Sequence, residues 1–76
     1  MPYEKIMITP KALALVDENP ETKMELDGIV RAFRSGKRFM PAFEDLYYWI
    51  GLDDSIRIYA ASERYDCIRE YVNYDD

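Results

Sequence analysis

Seventy-six residues, 49% of them hydrophobic and 33% charged, are expected to form one small globular domain over 1–76. There is no histidine, which removes the commonest general acid-base, the commonest metal ligand and every Ser-His or Cys-His nucleophile pair. Fifteen acidic against ten basic residues leave a net charge of −5, unfavourable for nonspecific nucleic-acid or anionic-membrane binding.

The chain meets charge at once, in Glu4 and Lys5, and carries no apolar signal-peptide run. The uncharged stretch Leu46–Leu52 falls far short of the ~20 apolar residues a membrane span needs. One cysteine, Cys67, cannot make an internal disulfide. These features predict a cytoplasmic protein with no membrane contact.

In chain order, residues 4–8 alternate in a way that suits a short strand. Thr9-Pro10 supplies an N-cap followed by proline at the first helical position, where its missing N–H costs nothing. The short helix that follows, over 12–16, is expected to turn Leu13 and Val16 inward. Asn19-Pro20 repeats the device, closing the first helix and opening a second over about 20–35. Leu26, Ile29, Val30 and Phe33 form its apolar stripe, and Ser35-Gly36 its left-handed stop.

Pro41 is read as the start of a third helix, with Glu44 and Asp45 in its first turn and Gly51 at its end. Beyond it, Ile58, Ala61, Tyr65, Ile68 and Val72 recur at helical spacing through about residue 73. The alternation of Ile56, Ile58 and Ala60 supports a competing reading, in which 56–60 pairs with 4–8 as two strands and Ser62 caps a shorter helix. The expected fold is mainly α: a single-domain bundle of about four helices, with that one two-stranded pairing as the variant. Tyr74–Asp76 sets acid against a helix C-terminus and is expected to fray.

Few motifs carry chemistry. Asp53-Asp54 offers two adjacent carboxylates that point apart, outside any calcium-loop pattern, and zinc would need more than one cysteine, so no metal is expected. Gly28, Gly36 and Gly51 are too scattered for a phosphate cradle, and no cofactor is expected. Cys67, beside Ile68 on an apolar helical face and flanked by Glu63, Asp66 and Glu70, reads as an inert thiol, buried or half-buried. Arg31, Arg34, Lys37 and Arg38 form a basic island; cations there complement a helix C-terminus, and Arg31 can pair with Asp27. The island's functional reading is contact with an anion or an acidic partner.

Phe43–Ile50, Gly51, Leu52 and a helix from Asp54 would trace a helix-turn-helix, although Asp53 and Asp54 would then face phosphates and repel them. In the run Leu46-Tyr47-Tyr48-Trp49-Ile50, a helix would turn Leu46, Tyr47 and Ile50 inward with Phe43. It would send Tyr48 to the opposite side and Trp49 to the flank. Tyrosine and tryptophan dominate binding hot spots.

The functional expectation is therefore a non-enzymatic, tyrosine-rich binding module that docks on a basic surface of a nucleic-acid-handling protein. Small phage-type inhibitors of host defence share this size and charge. Tyr48 and Trp49 would be anchors, with Glu44, Asp45, Asp53 and Asp54 as charged contacts. The alternative is a small DNA-binding regulator that uses the basic island.

Overall fold

The computed structural model describes residues 5–37, 43–51 and 53–74, with side chains described as far as Arg69. Strand β1 (Ile6–Ile8) leads into helices α1 (Pro10–Glu18) and α2 (Pro20–Arg34). Strands β2 (Leu46–Ile50) and β3 (Ile56–Ala60) follow, then a 3₁₀ turn (Ala61–Glu63) and helix α3 (Arg64–Tyr74).

The first two helices form where local signals place them. Thr9 Oγ1 accepts from the Ala12 N–H at 3.2 Å, ahead of Pro10. Asn19 is extended and stands at the end of α1 and the start of α2 at once. Gly36, at φ 86°, lets its own N–H reach the Phe33 carbonyl and the Lys37 N–H reach that of Ala32. That paired closure is the Schellman stop, and the positive φ is why glycine stands there. Within α1, Ala12 and Val16 are buried, whereas Leu13, expected inward, is 45% exposed. The small Ala12 side chain takes the contact with the core cluster instead, alongside Ile58 and Ala60.

The four-helix bundle is overturned: the chain is a small α+β domain with a three-stranded mixed sheet in the order β1-β3-β2. β1 runs parallel to β3, with Ile6 opposite Ile56 and Ile8 opposite Ile58, so of the two-stranded pairing expected for 4–8 with 56–60 residues 6–8 pair with 56–58, within a three-stranded sheet; Glu4 lies outside the described residues. β2 runs antiparallel to β3, with Leu46 opposite Ala60 and Ile50 opposite Ile56. The third helix and the helix-turn-helix outline disappear, since their central segment is a strand and a hairpin turn.

The reason lies in Leu46–Ile50. Five consecutive bulky residues have no exposed side to spare on a surface helix, but a strand covered on both faces takes them all. Leu46, Tyr48 and Ile50 join Ile56, Ile58 and Ala60 on the face packed by α1 and α2, with Ile29 and Phe33. Trp49 and Tyr59 face the other way and pack with Cys67 of α3, with Tyr47 beside them.

The helical stripe expected through 58–73 is divided. Ile58 is a fully buried strand residue, Tyr65 and Ile68 are 81% and 47% exposed, and among the described side chains of α3 the buried one is Cys67, while that of Val72 lies outside them. The turn into α3 is held by Glu63, whose Oε2 accepts from the Ala60 N–H at 2.9 Å and from Thr9 Oγ1 at 2.5 Å. Glu63 does the work expected of Ser62.

Candidate partner-binding surface

The residues predicted to meet a partner lie on β2 and at its two ends. β2 is the outer strand beside β3, and five residues of strand separate its ends by about 17 Å. At the far end the connection to β3 is a tight hairpin: the Gly51 N–H donates to the Ser55 carbonyl at 2.7 Å, and the Asp54 N–H to that of Gly51 at 3.1 Å. Asp54 sits in the left-handed region at φ 64°.

Asp53 Oδ1 accepts from the Ser55 hydroxyl at 2.6 Å and from its N–H at 3.2 Å. Those bonds hold the carboxyl below its ordinary range, so Asp53 is ionised at any physiological pH. Lys5 Nζ donates to the Asp53 carbonyl at 2.8 Å and ties the start of the chain to the turn. The hairpin therefore projects two exposed carboxylates, Asp53 and Asp54, from a hydrogen-bonded frame.

At the near end Glu44 is exposed and Asp45 half-buried. Asp45 Oδ2 accepts from Thr22 Oγ1 at 3.0 Å, its N–H donates to Glu25 Oε1 at 3.1 Å, and its carbonyl accepts from the Ala61 N–H at 2.8 Å. Asp45 is thus built into the junction between α2 and the sheet. Neither Thr22 nor Glu25 was singled out from sequence. The available signal was Thr22, a polar residue four positions before Leu26 on an apolar stripe, which needs a partner when buried.

The two expected anchors are drawn into the protein. Trp49 is only 7% exposed, beneath the Arg57 guanidinium at 5.9 Å from its ring centre. Tyr48 is half-buried against the core on the opposite face, beside Leu46 rather than away from it. Tyr47 carries Arg64 over its ring at 5.5 Å.

Of the basic island, Arg31, Arg34 and Lys37 are exposed, while Arg38 lies outside the described residues. Arg31 and Arg34 border an open groove of about 360 Å³ with Leu26, Asp27 and Val30. Asp27 approaches Lys23 at 4.0 Å, on the other side from the pairing expected with Arg31. Among the described residues no three carboxylate or thiol groups gather as metal ligands, and no helix is long and apolar enough to cross a membrane. Comparison with protein-family models, with curated proteins and with solved structures finds no match to this chain.

Proposed function

We propose that the protein is a non-enzymatic binding module that docks on a basic surface of a nucleic-acid-handling protein. Its carboxylates would take places that phosphates otherwise occupy. The observation that carries this reading is the hairpin tip, where Asp53 and Asp54 stand exposed on a turn fixed by Ser55 and Gly51. Glu44, about one strand length away, extends the same acidic margin along β2. Fixed charge of this kind steers encounter and sets register more than it adds affinity. Trp49 is enclosed and is left out of the contact; Tyr48 contributes the part of its ring that stays accessible.

The test begins with capture of a partner by the tagged wild-type chain and continues with association kinetics on that partner. Asp53→Asn/Asp54→Asn retains the oxygen that Ser55 bonds, so the turn should survive. Association should slow by about tenfold at low salt and lose most of its salt dependence. A partner without a basic surface, or rates unchanged in the double variant, would sink the reading.

A further inference from the structure

Helix α3 turns an apolar face to solvent. Tyr65 and Ile68, one turn apart, are 81% and 47% exposed, and Asp66 and Arg69 stand exposed along one flank of them. On the opposite side of the sheet, α2 carries the open groove of about 360 Å³. Leu26 and Val30, also one turn apart, are its half-buried floor, and Asp27, Arg31 and Arg34 line one flank. At about 100° per residue, both charged flanks lie on the same hand of their apolar rows. Flanks of the same hand meet when two helices pack antiparallel.

We propose that α3 of one copy docks antiparallel in the α2 groove of a second copy. In a single register Ile68 lies over Leu26, Tyr65 over Val30, Asp66 against Arg31, and Arg69 against Asp27. The apolar pairs are spaced three apart on α3 and four apart on α2, the combination in which the ridges of one helix fit the grooves of the other. Charge selects the register. A slide of one turn in either direction would set Asp66 against Asp27 or Arg69 against Arg31, and a parallel approach would put the two charged flanks on opposite sides. Asp27 meets Lys23 at 4.0 Å on the open surface, a contact that Arg69 can share.

Because the two surfaces lie on opposite faces of the sheet, the contact is heterologous, and copies join head to tail rather than as a closed pair. One helix pair is a small interface, so association belongs at a Kd of about 1 mM or somewhat tighter. The rim charges fix register more than they hold. Asp53 and Asp54 belong to neither surface, so self-association leaves the hairpin tip exposed and presents it once per copy.

Analytical ultracentrifugation of the wild type, Asp66→Arg and Arg31→Asp, from about 20 µM to about 1 mM in low salt, tests this. The weight-average mass of the wild type should rise about twofold or more over that range without levelling at a dimer. Each variant alone sets like charges together and should stay monomeric. An equimolar mixture of the two restores opposite charges across the contact and should regain the wild-type rise. A wild type that stays monomeric would overturn the proposal and leave the groove to a different protein. So would a rise that either single reversal leaves intact, a plateau at a dimer, which marks a symmetric contact, or a mixture that fails to associate. Should either reversal fail to fold, Ile68→Ser decides, since Ile68 is exposed. Loss of the rise with an unchanged circular dichroism spectrum supports the contact, and an unchanged rise overturns it.

Discussion

A Cβ built on Gly51 would lie 2.8 Å from Asp53 Oδ1, 2.9 Å from Ser55 Oγ and 3.2 Å from the Trp49 ring. The first two atoms are bonded to each other and the third is enclosed, so none yields without loss. Gly51→Ala should therefore destabilise the fold by about 1–3 kcal/mol, measured by urea unfolding. Asp54 presents the reverse case. Its φ of 64° costs a non-glycine residue about 1–2 kcal/mol, only part of which the greater freedom of unfolded glycine would cancel. Asp54→Gly should raise stability by up to about 1 kcal/mol, and a lower thermal midpoint would refute that account of the turn. Asp53 sets the pH response of the same turn. Held below its ordinary range by Ser55, it adds stability above that range, and the contribution disappears as pH falls through the depressed value. Ser55→Ala should move the Asp53 carboxyl titration back up, which carbon-detected NMR reads directly.

At the scale of elements, β2 is where local reasoning and the structure part company. A helix over 41–51 would leave Tyr48→Ala without effect on the thermal midpoint. A strand places Tyr48 beside Leu46 and Ile50 on the core face, and the same change should cost about 2–3 kcal/mol. Trp49→Ala should cost more, about 3–5 kcal/mol, because Tyr59 and Cys67 close over it. An unchanged midpoint in either variant would contradict the strand. By contrast α1 and α2 were legible, since Thr9-Pro10, Asn19-Pro20 and Gly36 act on their own neighbours. The aromatic run carries no such local marker. Its bulk suits a strand or a buried helix equally, and what decides is whether partners exist to cover both faces.

For the whole molecule, β3 is the hub. It pairs with both other strands, receives α1 on one face and shares its other face with α3. The pairing of β1 with β3 joins residues 50 positions apart, as in Ile6 with Ile56. Glu63 then bolts the two regions together by accepting from Thr9 Oγ1 and the Ala60 N–H. Glu63→Ala would leave both donors in a partly enclosed site and should cost about 1–3 kcal/mol. Because long-range pairing must precede those bonds, the loss should appear mainly as faster unfolding in stopped-flow kinetics. An effect confined to the refolding limb would instead place the Glu63 contacts in the folding nucleus.

What the sequence determined by itself is what short-range chemistry controls. Histidine-free composition, net charge, the caps and stops of α1 and α2, and the apolar stripe of Leu26, Ile29, Val30 and Phe33 are all fixed within a few residues of chain. Cys67 is buried, but Ile68, whose place on the expected apolar face suggested that burial, is 47% exposed. Only the tertiary structure decided the state of residues 46–60 and the direction of Tyr48, Trp49, Tyr65 and Ile68. Strand pairing draws its stability from partners distant in sequence, and a helical spacing such as 58, 61, 65, 68 cannot reveal that Ile58 has already been claimed by a strand. The hydrogen bond from the Asp45 N–H to Glu25 belongs to the same class: the two residues stand 20 positions apart and meet only when α2 packs against the start of β2.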